Sequence, residues 1–456
     1  MNEMQTVNDR IEAIFLDIKS GELNQAKRMI DTMLACQSDE QACIVLETAL
    51  WQVKCIREQF TISDDQLYTA LKNAIRDFNR KDMEEARSQG YLVCRIIEGE
   101  QRYHQSAIKT VCRVFHKRLV DKCIIDNARA MAADNAMKGH IEDLVGQRIL
   151  QISYTLKTSL RMIDKDEAEK KSLKVYLPIP RTPSLSVLSS TPTTPKIAPI
   201  EAMQRTVYFD TPVQHDLYSI TYTYDMLASY HKRPLKSGLM INDEDRVVYS
   251  PFLTEKPPHI IFGEDIIKLT KKLTDTLDWP LEKARAIYDW VTQNINYTFM
   301  PDYRLIENLS LHAMTYKSGD CGTQAILMIT LLRQAGIPAT FCSGRVINPL
   351  THETGMHDWL AFYVAPYGWI NADPSYGADA YRSGDINRWH FYFENCDLYR
   401  MPANQAFQEP FEHQKIWRKD PFDNQSGEAG FDRLPQRLSY ETTTCVLAIK
   451  EHTSPL

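Results

Sequence analysis

SGDCGTQAILMITLLRQAGIPAT, residues 318–340, contains the start, the body and the end of one helix, with a cysteine at its entrance. Asp320 can cap the first turn through its carboxylate. From Ala325 the apolar residues fall at helical spacing, with Met328, Ile329 and Leu332 on one stripe. Gly336 ends the helix, and Pro338 keeps it from resuming. Cys321 therefore falls on the first turn, where unpaired amides and the positive end of the dipole are expected to favour a thiolate. A cysteine with only a packing role belongs mid-helix on the apolar stripe. The same free amides, that of Gly322 included, can receive the oxyanion of a tetrahedral intermediate.

A thiol needs a base to take its proton, and the base needs something to orient it. Two later fragments supply both in order: GMHDW (355–359) offers His357 and NADPSYG (371–377) offers Asp373. Around them run three strand-like stretches, ATFCSGRVI (339–347), HDWLAFYVA (357–365) and GWINAD (368–373). Period-two alternation puts His357, Trp359, Ala361 and Tyr363 on one face and Asp358, Leu360, Phe362 and Val364 on the other. Pro366-Tyr367-Gly368 reads as the connecting turn. Counted back from that turn, Asp373 falls opposite Leu360 or Ala361, roughly 10–14 Å along the strand from His357, so their contact is expected to need a bulge or a bent strand end. Trp359 shares the histidine's face and can either wall a cleft or fill the core. His312 and His352 receive no role. No HExxH, CxxC or EF-hand spacing occurs, so neither a metal centre nor a cofactor is expected.

GDCGTQA, LLRQAGIPAT, SGR, HDWLAFYV and GWINADPSYG, in that order within residues 280–377, resemble the core of the transglutaminase-like superfamily. Members of that superfamily share a papain-like Cys-His-Asp arrangement. The resemblance implies Cys321 as nucleophile, His357 as general base and Asp373 as the orienting carboxylate. The superfamily includes cross-linking transglutaminases, deamidases, peptidases, peptide N-glycanases and members without catalysis, so the resemblance implies a chemistry more narrowly than a substrate. Upstream, KVYLPIP (174–180), RTVYFDTP (205–212) and YSITYTYDM (218–226) resemble the small β domain that precedes the core in bacterial members. Downstream, DLYRMPAN (397–404) and DNQSGEAGFD (423–432) are similar to a bacterial extension, with Gln425, Gly427 and Glu428 standing for its Gln-x-Gly-Glu stretch.

Composition divides the rest of the chain. All 22 prolines lie at or after Pro178, and so long a proline-free stretch is expected to form continuous helices. Ile11, Ile14, Phe15 and Ile18, then Leu67, Ala70, Leu71, Ala74 and Ile75, agree in their spacing. DIKSGELNQA (17–26) and DFNRKDMEEA (77–86) match loosely at an offset of 60, as two helical hairpins or the start of a repeat. Pro178 to Pro199 is expected to be an ordered loop bordering strands. The fold class expected is α+β: an all-helical domain (1–172), a β-rich domain (173–260), a papain-like core (261–400) and a C-terminal extension (401–456).

A net charge of −6 gives no electrostatic reason to expect nucleic acid. The N-terminus lacks a basic, apolar leader and no run of 18 apolar residues exists, so a cytoplasmic protein without membrane contact is expected. The ten cysteines show no disulfide-framework spacing and should be reduced. The expected function is a cysteine-dependent hydrolase of amide or peptide bonds acting through a thioester. The alternatives are a protein-glutamine transglutaminase and a binding protein that keeps the fold without catalysis. The expected partners are a protein or peptide substrate and, through the helical region, a protein partner.

Overall fold

The computed structural model describes residues 2–36, 39–120, 127–147, 149–163, 172–212, 215–227, 230–431 and 438–453. The N-terminal region opens with helices Asn2–Ser20, Leu23–Cys36 and Glu40–Gln59, whose buried face carries Ile14, Ile30, Leu46 and Val53. Helices Asp64–Ala74, Arg80–Ser88 and Ala107–Val114 enclose a second small core around Leu67, Leu71, Met83 and Val111. The two loosely matching segments thus stand at helix corners in separate cores.

This region is not all helical. Cys94–Ile97 and Glu100–His104 form an antiparallel hairpin, extended by Phe60–Ile62. Ile149–Met162 is a 14-residue strand lying between Tyr440–Thr453 and Leu217–Leu227. Ile152, Tyr154, Leu156, Thr158, Leu160 and Met162 are buried at every second position, the alternation a half-buried strand requires. Proline is excluded from strand interiors as firmly as from helices, so its absence from the first 177 residues could not tell the two apart.

Two four-stranded antiparallel sheets form the β-rich part. One runs Tyr440–Thr453, Ile149–Met162, Leu217–Leu227, Ser186–Thr191, and the other Glu428–Gly430, Ser172–Pro178, Thr206–Pro212, Lys196–Ile197. The proline-rich stretch 178–199 is therefore ordered and supplies two short strands. The part expected as a C-terminal extension is shared out instead: Arg400–Asn404 joins the core sheet, and the two later strands complete the two β sheets. Residues 432–437 and 454–456 of that expected extension lie outside the described residues.

The core sheet has the order Gly368–Ala372, Thr354–Val364, Ala339–Ile347, Arg400–Asn404, all antiparallel. Against one face lies helix Cys321–Gln334, every residue of which from Gly322 to Arg333 is buried. Burial all round explains why its apolar stripe is so broad. One hydrophobic cluster runs from Leu156, Val207 and Tyr222 of the β sheets to Leu332, Phe362 and Phe393 of the core. Ile141 and Leu144 of helix Asn127–Val145 belong to it as well. A boundary at residue 172 would cut through this packing and remove a central strand.

Candidate active site

Cys321 opens its helix because the chain arrives through a two-residue parallel ladder, Asn296–Tyr297 with Ser318–Gly319, and is then capped by Asp320. The Asp320 carboxylate accepts from the Thr323 amide at 3.1 Å and its hydroxyl at 2.7 Å, and from the Tyr303 hydroxyl at 2.6 Å. The first helical bond runs from Gln324 N–H to the Asp320 carbonyl. The amides of Cys321 and Gly322 are thus outside the helix's own ladder, as an oxyanion receptor requires. Glycine is needed at 322, since a Cβ there would come within 2.3 Å of Tyr303 Oη and 2.7 Å of Asp358 Oδ2.

His357 and Asp373 meet directly, with Nε2 to Oδ2 at 2.7 Å, and both are buried. No bulge produces this. Val364 pairs with Gly368 and Leu360 with Ala372 without a shift of register. The three-residue turn 365–367 thus carries Asp373 one position past Leu360, to the level of Trp359 and onto the histidine's face. The expected register was too far along the strand because it took Gly368 into the turn. Asp373 is also held from its other side: its amide donates to the Tyr392 carbonyl at 2.8 Å, and its Oδ1 caps helix Pro374–Ser383 by accepting from Tyr376 N–H at 3.0 Å. The Tyr376 ring stacks on the imidazole, with centroids 4.3 Å apart.

Arg400 was not foreseen. It is fully buried, and its Nη2 lies 2.8 Å from the same Asp373 Oδ2 and 2.7 Å from Asp397 Oδ2. Burial works to raise the Asp373 carboxyl, but His357 and Arg400 outweigh it and hold it below the usual carboxylate range. An ionised Asp373 keeps the proton of His357 on Nε2 and leaves Nδ1 to accept one.

The thiol itself is placed differently from expectation. Among the described residues Cys321 makes no hydrogen bond to His357, and its Sγ donates to Asp358 Oδ2 at 3.3 Å. Burial first, then the carboxyls of Asp358 and Asp320, push the Cys321 thiol well above its ordinary value, while the Asp358 backbone amide pulls it down. The helix start alone does not make the thiolate expected from sequence, because burial and two carboxyls oppose it. Asp358 Oδ1 accepts from Gln425 Nε2, which also donates to Asp423 Oδ2 at 2.8 Å. Asp423 accepts in turn from the Ser343 hydroxyl. Gln425 was visible in sequence as part of the extension, without any sign that it reaches the cysteine.

Trp359 is 3% exposed and packs with Cys342 and Ala361 under the Arg400 guanidinium, so it belongs to the core and not to a cleft wall. His312 is half-buried beside Tyr316 and His352 lies in the loop before the histidine strand. A cavity of about 440 Å³ opens beside Tyr376, lined among others by Met137, Ile347, Glu353, Asp379 and Arg388. Arg113 of helix Ala107–Val114 pairs with the same Asp379 and lies 4.4 Å over the Tyr297 ring. The N-terminal region therefore borders the site. Among the described residues no group of His, Cys, Asp and Glu is arranged to hold a metal ion.

A helix-start cysteine with a histidine and a buried carboxylate on an adjoining antiparallel sheet is an arrangement of the papain-like kind. Residues 267–374 match the model of the transglutaminase-like superfamily, and the chain carries a domain of that superfamily. Over 119 residues it is 28% identical to a protein-glutamine gamma-glutamyltransferase of Pseudomonas aeruginosa, a match covering 23% of this chain and 18% of that protein. Among solved structures, a Cytophaga hutchinsonii protein described as a candidate cysteine protease is similar at 15% identity and TM-score 0.36, over 67% of this chain and 90% of that one. The periplasmic domain of TgpA from Pseudomonas aeruginosa is similar at 16% identity and TM-score 0.27, over 55% and 94%.

Proposed function

We propose that the protein is a cysteine-dependent hydrolase that cleaves an amide or peptide bond through a thioester. The observation that carries this reading is the 2.7 Å bond between His357 and Asp373, with Nδ1 left for the thiol beside a helix-start cysteine. His357 Nδ1 takes the thiol proton and the sulfur attacks the carbonyl carbon. The Cys321 and Gly322 amides receive the oxyanion, and the imidazolium returns its proton to the departing amine. Water, deprotonated by the same imidazole, releases the acid and restores the thiol. The cavity beside Tyr376 has the size and mixed lining of a side-chain subsite. Helix Asn127–Val145, which contributes Met137 to it, would share in selecting a protein or peptide substrate.

Transfer to an amine is the second reading, favoured by the name of the Pseudomonas relative. It has to outcompete water at about 55 M and so needs an acceptor site that orients the amine and excludes solvent. A reading without catalysis finds no support in the retained Cys, His and Asp. The ten cysteines of the sequence show no disulfide-framework spacing, and the cytoplasm is the proposed location. No described helix is long and apolar enough to cross a membrane. The test offers glutamine-containing peptides with excess labelled primary amine and compares free acid with amine adduct. Predominant acid supports the hydrolase. Predominant adduct at millimolar amine replaces it with a transglutaminase.

A further inference from the structure

Asp320, Asp358 and Asp423 form a chain of carboxyls behind Cys321: Asp358 and Asp423 are under a tenth exposed, and Asp320 is half-buried with its carboxylate held by Thr323 and Tyr303. Among the described residues none of the three forms an ion pair with Lys, Arg or His. Arg418, whose charge works to lower the Asp423 carboxyl, spends Nε and Nη2 on Glu428 at 2.9 and 2.7 Å and reaches only the Asp423 carbonyl, at 3.1 Å. Arg345 donates to the Gln425 carbonyl at 2.9 Å. The partners of Asp358 are neutral, with Gln425 Nε2 on Oδ1 and Cys321 Sγ on Oδ2.

The other groups facing Asp358 do not supply a positive charge either. Asp320 and Cys321 face it from the helix start, Tyr303 and Tyr297 from the turn and short strand beside them, and Asp423 from the C-terminal loop. A buried carboxylate without a cation is costly, and several side by side cannot all ionise. Burial, then Asp423 and Asp320, hold the Asp358 carboxyl well above its ordinary value.

We infer that Asp358 is a catalytic residue that works as a neutral carboxylic acid, its O–H donating a hydrogen bond to Cys321 sulfur when the thiol gives its proton to His357. This rests on the proposed thiol mechanism and adds to it a second group on the reacting atom. No proton leaves Asp358 in the step. The thiol proton goes to His357 Nδ1, the sulfur gains a full negative charge, and the Asp358 O–H, 3.3 Å away in the resting state, turns from acceptor to donor. When the thioester breaks, the electron pair returns to sulfur and the same O–H receives it. A neutral carboxyl in this role removes the disadvantage of the crowded site. An ionised one would oppose every thiolate that formed.

The experiment measures the pH dependence of iodoacetamide alkylation at Cys321 in the full chain, followed by peptide mapping, for the wild type, Asp358→Asn and Asp358→Ala. An amide can still donate to sulfur, so Asp358→Asn should keep the thiol pKa within about half a unit. Asp358→Ala loses the donor and should raise it by about one unit, a roughly tenfold slower alkylation at neutral pH. Faster alkylation in either variant would mean that Asp358 is an anion and overturn the inference. Because Asp358→Ala opens a buried gap and can fail to fold, the infrared carbonyl band of a protonated carboxylic acid gives a second readout. The wild-type minus Asp358→Asn difference spectrum at neutral pH should contain one such band, and its absence overturns the inference. A wild-type Cys321 that turns over no thioester would sink the thiol mechanism while leaving the infrared result to be read separately.

Discussion

Arg400 and His357 share one oxygen: Nη2 of the arginine and Nε2 of the histidine both approach Asp373 Oδ2, at 2.8 and 2.7 Å. The guanidinium lies between Asp373 and Asp397 and is buried with its two partners. It therefore stabilises the negative charge of Asp373 while drawing part of that charge away from the imidazole. Removing it should have two separable effects. Arg400→Met leaves two buried carboxyls without their cation and should destabilise the fold by about 3–5 kcal/mol. In Arg400→Lys, which keeps the charge but loses the fork, the acid limb of the kcat profile should move as the Asp373–His357 bond changes. An Arg400→Lys profile identical to wild type would reduce Arg400 to a packing role.

The three site residues should show graded losses. Cys321→Ala should abolish turnover, and His357→Ala should lower kcat by about 10²–10⁴-fold. Asp373 needs a gentler change, because its Oδ1 also caps the following helix and alanine would cost about 1 kcal/mol of stability besides. Asp373→Asn keeps the volume and should leave more activity than His357→Ala. Steady-state kinetics with thermal melts on each variant checks the order, and an Asp373→Asn enzyme as active as wild type would remove it from the mechanism.

Gly322→Ala should damage the site without dismantling the fold. The added methyl would stand 2.3 Å from Tyr303 Oη and 2.7 Å from Asp358 Oδ2, and overpacking of this kind costs about 1–3 kcal/mol. Either the Tyr303–Asp320 bond or the Asp358 carboxyl has to move, and both adjoin Cys321. The expected result is a native circular dichroism spectrum with kcat reduced more than tenfold. Unaltered kcat would show that the tyrosine and carboxyl give way harmlessly.

His259 should make stability depend on pH in one direction. It is buried, its Nδ1 accepts from Leu309 N–H at 3.3 Å, and burial lowers its pKa from 6.5 to about 4. Between those values the unfolded chain binds a proton that the folded chain does not, so stability falls as pH falls, by up to about 1.4 kcal/mol per unit. His259→Gln keeps an acceptor for Leu309 and removes the titration. Melting temperatures at pH 7 and pH 5 should therefore fall less steeply in this variant than in the wild type. An equal fall in both would contradict a neutral buried His259.

Cys321, His357 and Asp373 were legible in the sequence because each sits in a motif whose local chemistry is specific: a capped helix start, a strand opening and a residue before proline. The contact between the last two was not, because hairpin register depends on turn length, and taking Gly368 as turn instead of strand shifts every pair. Asp358 occupies a core-facing position in the alternation, where a carboxyl is unexpected, and only the fold brings Gln425 and Cys321 to it. Arg400 gains its meaning from pairing beside Val346 on a fourth strand, which no local pattern announces. The strand Ile149–Met162 carried a clear alternation, but the absence of proline was read as a sign of helix.

The central claim is that Cys321 carries the acyl group and His357 generates its reactive form. Exposed Cys36, Cys94 and Cys445 make simple thiol labelling ambiguous, so the direct measurement uses an acylating substrate. The protein is mixed with 4-nitrophenyl acetate near neutral pH, quenched in acid and digested, and the acetyl group is located by mass spectrometry alongside the rate of nitrophenolate release. The account predicts a burst approaching one equivalent, the acetyl group as a thioester on the Cys321 peptide, and a burst rate at least 100-fold lower in His357→Ala. Acetyl on other residues with Cys321 bare, or an undiminished burst in His357→Ala, would contradict it.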